Sequence, residues 1–500
     1  MAEALVLGAQ ALTIEDVARV ARDHLAVRIS GGARTRIANG RARLEELLAR
    51  GERIYGVNTG IGANVGISLP PGQMELLQQN LVVQLGCATG EPLRRDVVRA
   101  AALLRVATFV TGASAVRNHL VDALAGLLNR GVTPVVPRYG SVGASGDLMP
   151  SAYIARVLLG MGEAEFQGRR MPAAEALQAA GLAPVRFAPK EGLALINGTT
   201  FMTAVASLVW LDARSVLRAL LAANALCIEA LQAPDLPFHP WVHESKGHPG
   251  QIAVAGFLRD LLQGSAFVQA SSGQTCYSLR CVPQGLGPVW EAFEESRAVI
   301  EREINSANDN PLIDPDSGTL FKAGNFYGGH IARLLDTWKI DFACMANWAN
   351  SLMALVVDDR FNGGLPSNLT PEPGLNSGFK GMQLSVTSLA CAVRQMAGPS
   401  SIHSLPTEQY NQDVVSLGMH AAVTAMEALE CLRNEAAMLL LAAAQAVDLR
   451  GGPARLGQGS RRVYEVVRAE AAFREKDRSM DLEIAAVASR ITAAGTSPLL

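Results

Sequence analysis

Between Gly140 and Leu148 the chain reads Gly-Ser-Val-Gly-Ala-Ser-Gly-Asp-Leu, a run of small residues carrying hydroxyls and one carboxyl. A phosphate loop is excluded there, because GxxxxGK[ST] is absent and no lysine follows. A nucleophile elbow is excluded too, since Gly143-Ala-Ser-Gly146 does not fit GxSxG. Two readings stay open. In one, Ser145 or Asp147 simply caps a following helix. In the other, a tight turn brings the Gly146 nitrogen onto the Ala144 carbonyl, with no Cβ to obstruct the bend or the approach. Loss of water then closes a five-membered ring. Elimination of the Ser145 hydroxyl leaves an exocyclic methylidene. The product, 4-methylidene-imidazol-5-one, is an electrophile that no ordinary side chain supplies.

Such a loop needs elements to hold it. Thr13-Ile-Glu-Asp16 is a capping-box-like start for a helix through Val17, Val20 and Ala21. Gly51 to Gly72 is rich in glycine, ends near Pro70 and Pro71, and reads as a long lid or binding loop. Helical pattern runs from Gln73 to about Arg130, broken near Gly86 to Pro92. Pro134 and Pro137 then lead into the loop at Gly140. From Gly192 to Leu231 the pattern is helical and nearly all apolar. Its charge-free part, Gly192 to Leu211, is long enough to raise a membrane span. It contains Asn197, Gly198, Thr199, Thr200, Thr203 and Ser207, however, and reads as a helix buried in a large soluble bundle. Further helices are expected over Gln251–Ser271, Val289–Ile304, His330–Val357 and His420–Leu449, the last stopping before Gly451-Gly452-Pro453. Polar-poor helices of that length need several neighbours, so a central bundle partly covered by partner subunits is expected.

Composition agrees. Hydrophobic residues make up 49% and charged residues 18% of 500, which suits a large core and excludes disorder. Aromatic residues at 5% favour packed helices over strands. The fold class is therefore mostly α: a long helical bundle over 191–500, with a smaller loop-rich region over 1–190 carrying the lid and the Gly140 loop. A net charge of -2 lacks the basic footprint of a nucleic-acid binder. Seven widely spaced cysteines without CxxC fit reduced thiols and a cytoplasmic setting. His239, His243 and Glu244 have loosely ligand-like spacing, but Pro237 and Pro240 make a helix there unfavourable and no metal site is expected.

Tyr55-Gly-Val-Asn-Thr-Gly60, Gly140-Ser-Val-Gly-Ala-Ser-Gly-Asp-Leu148, Glu191-Gly-Leu-Ala-Leu-Ile-Asn-Gly198, Tyr277-Ser-Leu-Arg280, Asn308-Asp-Asn-Pro311, Gly324-Asn-Phe326 and Asn411-Gln-Asp413 occur in that order. With these motifs the chain resembles the aromatic amino acid ammonia-lyase family, which includes histidine, phenylalanine and tyrosine ammonia-lyases and related aminomutases. The resemblance runs from about Thr13 to at least Asp481. It implies a homotetramer with active sites assembled from several subunits. It also implies a 4-methylidene-imidazol-5-one made from Ala144, Ser145 and Gly146, with no external cofactor and no membrane or nucleic-acid partner. Tyr55 would take the β-proton, which requires a phenol lowered by nearby donors or positive charge. Arg280 would clamp the substrate carboxylate through its planar fork, with Asn310 and Asn325 assisting. Asn197, Gln274 and Tyr277 would surround the electrophile or hold the amine, and Phe326 would wall it. Gly62, Leu148, Glu408, Asn411 and Gln412 complete the implied substrate surroundings. One departure is Thr275-Cys276, where the family usually has Asp after the glutamine at 274; a local cap near Tyr277 and Arg280 is expected to be lost.

The positions that sort the family by substrate correspond to Gln84 and Leu85. Histidine ammonia-lyases resemble Ser-His there and carry glutamate where this chain has Gln412. Phenylalanine enzymes usually place Phe before the Leu, and tyrosine enzymes His. Two readings of Gln84 stay open. Its amide meets a phenol, whereas a bare phenyl ring would leave it unpaired at about 1–3 kcal/mol if buried, or it points to solvent or to backbone and does no sorting. The resemblance thus implies tyrosine or phenylalanine as substrate, with an aminomutase or a histidine ammonia-lyase as the alternatives.

Overall fold

The structure is a computed structural model that describes residues 3–268 and 274–492. Helix takes up 60% of the described residues and strand 8%, so the expected mostly helical class is found. The chain divides into two compact units. The first comprises residues 1–208, 297–336 and 399–423. The second comprises 209–296, 337–398 and 424–500.

The first unit contains the short strands. Ala4–Leu7 pairs in parallel with Ala26–Ile29, and Glu163–Phe166 sits between Thr133–Pro134 and Arg169–Pro172 with both pairings antiparallel. The helix Ile14–Arg22 begins at the capping box read from the sequence: Thr13 accepts from Asp16 N, and the Asp16 side chain accepts from Thr13 N. The break expected after Gly86 is observed as the strand Thr89–Pro92, between the helices Met74–Gln84 and Arg95–Phe109. The latter is buried along nearly its whole length, Arg99 and Arg105 included.

One expectation is corrected. Gly192 to Leu231 is not one helix but two, Glu191–Ile196 and Thr200–Ala230, separated at Asn197–Thr199. Gly198 there has φ +119, and a Cβ on it would overlap the Asn308 carbonyl oxygen, so the chain turns where glycine alone fits. Its carbonyl accepts from Asp147 N at 2.7 Å and its N–H donates to Ser145 O at 3.1 Å. The helix Gly329–Val357 has the length and apolar composition of a membrane span; Gly192–Leu211 does not form a continuous one. The helix expected to reach Ser271 is Pro249–Leu262, ending where Gly264 takes φ +79. Positions 269–271 lie outside the described residues.

Among its described residues, the named elements of the second unit are all helices, joined by loops. Its core is built on Phe293. That ring meets Trp338 edge-on at 5.7 Å and Phe342 at 6.3 Å, and the Phe293 carbonyl accepts from Trp210 Nε1 at 2.7 Å. All four side chains are buried. Phe293→Ala is expected to lower stability by about 3–5 kcal/mol, the ordinary cost of an aromatic-sized core cavity. Denaturant midpoints at constant m-value measure this, and a loss below about 1 kcal/mol would show that these rings do not carry the packing.

Candidate active site

Ala144–Asp147 is a short extended segment entered through a turn in which Gly143 bridges Gly146. Gly143 and Gly146 have φ +77 and +72. A Cβ on Gly146 would overlap the Gly198 carbonyl oxygen and lie 2.7 Å from the Phe326 carbonyl oxygen. The segment is therefore clamped between two backbones, and only glycine permits the approach. These are the features that peptide cyclisation needs: a tight bend and no side chain at the attacking nitrogen. Ser145 stays half-buried, and Gln412 Nε2 lies 3.5 Å from its Oγ as a long donor.

Behind the segment lies a buried charge cluster. Asp147 accepts from the N–H groups of Phe201 and Met202, the latter at 3.1 Å, and so caps the helix Thr200–Ala230. Burial pushes its carboxyl up to about 7, against the pull of those two donors and of Arg105. Arg105 is buried beside Asp147 and Asp309. Its Nη2 donates to Thr200 Oγ1 at 3.3 Å, while Nε and Nη1 have no partner. Lys190 Nζ meets Asp309 Oδ2 at 2.7 Å with both side chains fully buried. Asn197 Nδ2 donates to Asp309 Oδ1 at 3.1 Å and to the Asn310 carbonyl at 3.0 Å.

The glycine-rich loop carries Tyr55, whose Oη accepts from Gly62 N at 2.9 Å. Gly62 has φ +56, and a Cβ there would overlap the Glu408 carboxylate. Glu408 accepts from Ala63 N at 3.2 Å and from Asn411 Nδ2 at 2.9 Å. The expected lowering of Tyr55 is not found. Burial pushes its phenol above the ordinary range and the Glu408 charge adds to that, with only the Gly62 N–H opposing. Gln78, which the sequence reading passed over, fixes the loop: its Nε2 donates to Gly56 O at 2.8 Å and its Oε1 accepts from Leu193 N at 3.0 Å. Asn58 accepts from Ile54 N and donates to Glu52 O, both at 2.8 Å, and so closes the same turn.

The first unit thus gathers Tyr55, Gly62, Ala144, Ser145, Gly146, Leu148, Asn197, Asn310, Asn325, Phe326, Glu408, Asn411 and Gln412. Asn310 Oδ1 accepts from Ala323 N at 2.9 Å, and Asn325 Nδ2 donates to Ala307 O at 3.3 Å, so both side chains brace loops. Asn325 also lines a cavity of ≈ 550 Å³ with Glu303, Tyr327 and His330. Gln84 is exposed at the end of its helix and Leu85 is buried. Gln274, Tyr277 and Arg280 belong to the second unit. Tyr277 is 69% exposed, and the Arg280 guanidinium stacks over its ring at 4.9 Å. Cys276 takes the N-cap position of Tyr277–Arg280 without a side-chain cap, as expected from the departure at 275–276. His243 binds Pro237 O and Gln251, and no metal-ligating cluster occurs among the described residues.

The chain resembles known proteins along most of its length. The family described as aromatic amino acid lyase matches residues 12–469. A histidine ammonia-lyase of Anaeromyxobacter sp. (strain K) is 39% identical over 506 residues, covering 99% of both chains. Among solved structures, the phenylalanine aminomutase of Pantoea agglomerans superposes with a TM-score of 0.94 at 33% identity, over 100% of both chains. The tyrosine aminomutase of Streptomyces globisporus gives 0.93 at 34%, over 98% of this chain and 97% of that one.

The raised Tyr55 phenol has a checkable sign. A group whose pKa is raised on folding contributes stability below its unfolded value, near 10, and loses it as pH climbs through the higher folded value. In the substrate-free protein, Tyr55 is expected to titrate above ordinary tyrosine, and Glu408→Gln to bring it down. Phenolate absorbance against a Tyr55→Phe reference measures both. A Tyr55 titrating at or below the ordinary value would overturn this account of the lid.

Proposed function

Because the chain belongs to the aromatic amino acid lyase family, matched across residues 12–469, we propose that it removes ammonia from tyrosine or phenylalanine to give the arylacrylate. The family's enzymes are carbon–nitrogen lyases. The observation that carries the reading is the Ala144–Gly146 segment clamped by Gly198 and Phe326, with the Tyr55 lid anchored beside it through Gly62 and Glu408. The residues suit the prosthetic group, since the attacking Gly146 has neither Cβ nor room for one. Formed from Ala144, Ser145 and Gly146, 4-methylidene-imidazol-5-one would supply the electrophile that makes the substrate amine a better leaving group.

In this reading the side chains divide the remaining work. Tyr55, as its phenolate, takes the β-proton and becomes the phenol; the Gly62 N–H that donates to its Oη stabilises the phenolate before that transfer. Asn197 and Gln412 border the reacting segment, and Phe326 walls it. Arg280 fixes the substrate carboxylate and Tyr277 stands with it. The exposure of Tyr277 fits a homotetramer in which one subunit's Tyr277 and Arg280 complete another's site. The seven unpaired cysteines suit a cytoplasmic setting.

Substrate choice rests on positions 84, 85 and 412. Gln84-Leu85 and Gln412 lack the imidazole and carboxylate that a histidine site resembles, so the reading departs from the named activity of the Anaeromyxobacter relative. Aminomutase action uses the same lid and loop and differs in returning ammonia to the β-carbon.

Ser145→Ala is expected to abolish turnover while leaving the fold intact. The wild-type mass should fall short of the sequence mass by two waters, about 36 Da, and that of the variant should not. A wild-type protein of full sequence mass would sink the reading. Products separate the alternatives: arylacrylate from tyrosine or phenylalanine supports the proposal, urocanate from histidine or a β-amino acid replaces it. Gln84 is exposed in the single chain, so it reads the ring only where bound substrate or a neighbouring subunit covers it. In that case Gln84→Phe shifts kcat/KM from tyrosine towards phenylalanine by about tenfold or more, as loss of one hydrogen bond implies. An unchanged ratio would mean that Gln84 does not read the ring.

A further inference from the structure

We propose that the buried Lys190–Asp309 ion pair is the positioning device for Asn197, fixing its carboxamide so that the oxygen alone is left to face the reacting segment. The inference rests on the function proposed above.

Asn197 has two acceptors beside its amide nitrogen, the Asp309 carboxylate at 3.1 Å and the Asn310 carbonyl at 3.0 Å. Neither can donate, so the nitrogen end must point at them. Both amide hydrogens are then engaged, and Oδ1 is the one group of the side chain outside the network. The neighbouring Gly198 exchanges backbone hydrogen bonds with Ser145 and Asp147. A carboxamide fixed in this sense presents an acceptor and no donor next to the reacting segment.

The geometry depends on Asp309 keeping its charge. A neutral carboxyl could turn its O–H towards Asn197 and accept the flipped amide. Burial by itself would raise the Asp309 carboxyl; the Lys190 charge and hydrogen bond, with Asn197 and Arg105, outweigh that and hold it below the ordinary range. The charged groups facing Asp309 are Lys190, preceding Glu191–Ile196, and Arg105, on Arg95–Phe109. Beyond Arg105 stand Asp147 and, acting on Asp147, Glu303. Lys190 itself adopts φ +82, a conformation that lysine enters at a cost, and is fully buried. Strain of this kind persists where surrounding structure over-determines it, and here the ammonium seated on Asp309 supplies that.

The test uses the full-length enzyme and two near-isosteric changes, Lys190→Met and Asp309→Asn, singly and together. In wild type no acidic limb from Asp309 is expected in kcat. In Lys190→Met, burial without the counter-charge raises the carboxyl. Its kcat should fall about 10–100-fold, the scale of a misplaced group, with KM little changed, and should drop further as pH falls. Asp309→Asn should lower kcat about tenfold without a new limb, and the double variant should lose the limb. Infrared spectroscopy reads the same event without turnover: a protonated-carboxyl band, absent from wild type, appears in Lys190→Met at low pH and is missing from the double variant. Intact mass should show the two-water loss in every variant. Wild-type kcat and pH profile in the variants would overturn the proposal while leaving the proposed function standing, as would a Lys190→Met mass lacking that loss, which would assign the pair to ring closure. If Lys190→Met does not fold, Asp309→Asn alone decides: wild-type kcat there overturns it. A wild-type protein without lyase activity removes both readings.

Discussion

A long helix that begins inside a protein brings N–H groups that water cannot reach. The helix Thr200–Ala230 begins in this way, with Thr200, Phe201 and Met202 all buried, and the acceptor comes from Asp147. Because Asp147 follows Gly146 directly, satisfying the helix also delivers the Ala144–Gly146 segment to it. Gly198, just before the helix, then pairs with Ser145 and Asp147 through its own backbone. Most of what the site requires follows from that cap: the bend, the clamp on Gly146 and the nearness of Asn197. A side chain on Gly146 or Gly198 would break it at once, since each would overlap a carbonyl oxygen.

The cap places a carboxylate in a region of low polarisability, and the surrounding side chains answer it. Asp147 and Asp309 are balanced by Arg105 and Lys190, all four buried. Two buried carboxylates without these cations would favour protonation, and two buried cations without carboxylates would be costly in the same way. The balance is uneven in detail. Asp309, in contact with Lys190, is held down, while Asp147, with Arg105 near but not bonded to it, is pushed up to about 7. Contact geometry, not the number of charges, separates the two.

Features written as local pattern were legible in the sequence. The capping box at Thr13, the break at Gly86–Pro92, the stop before Gly451 and the helix-rich class all reappear in the structure. The Gly140–Leu148 loop stood out because its residue types have few other uses. Long-range partnerships were not legible. Lys190 and Asp309 both border or lie in recognised motifs, yet their pairing spans 119 positions, and no periodicity encodes it. Gln78 sits mid-helix with the look of a surface residue, while its amide joins Gly56 to Leu193. The helix break at Asn197 was hidden because the stretch from Gly192 to Leu211 carries no charge and is largely apolar; the Asn197-Gly198 dipeptide was its local sign.

The lid obeys a constraint from the far end of its anchor. Glu408, Gln409 and Tyr410 have φ of +48, +53 and +65, three consecutive left-handed residues with a Cβ. Such a run is unfavourable and is held by the turn around it, in which Thr407 N donates to Gln412 O at 2.9 Å and Thr407 Oγ1 to Gln412 Oε1 at 3.0 Å. The strained turn aims Glu408 at Ala63 and at the space that Gly62 leaves open. That same turn carries Gln412, whose Nε2 approaches Ser145 Oγ. One six-residue turn therefore touches both the lid that bears Tyr55 and the segment that bears Ser145. A shift that relaxed its left-handed residues would move both contacts together, so the position of the phenol and the setting of the reacting segment are not independent variables in this fold.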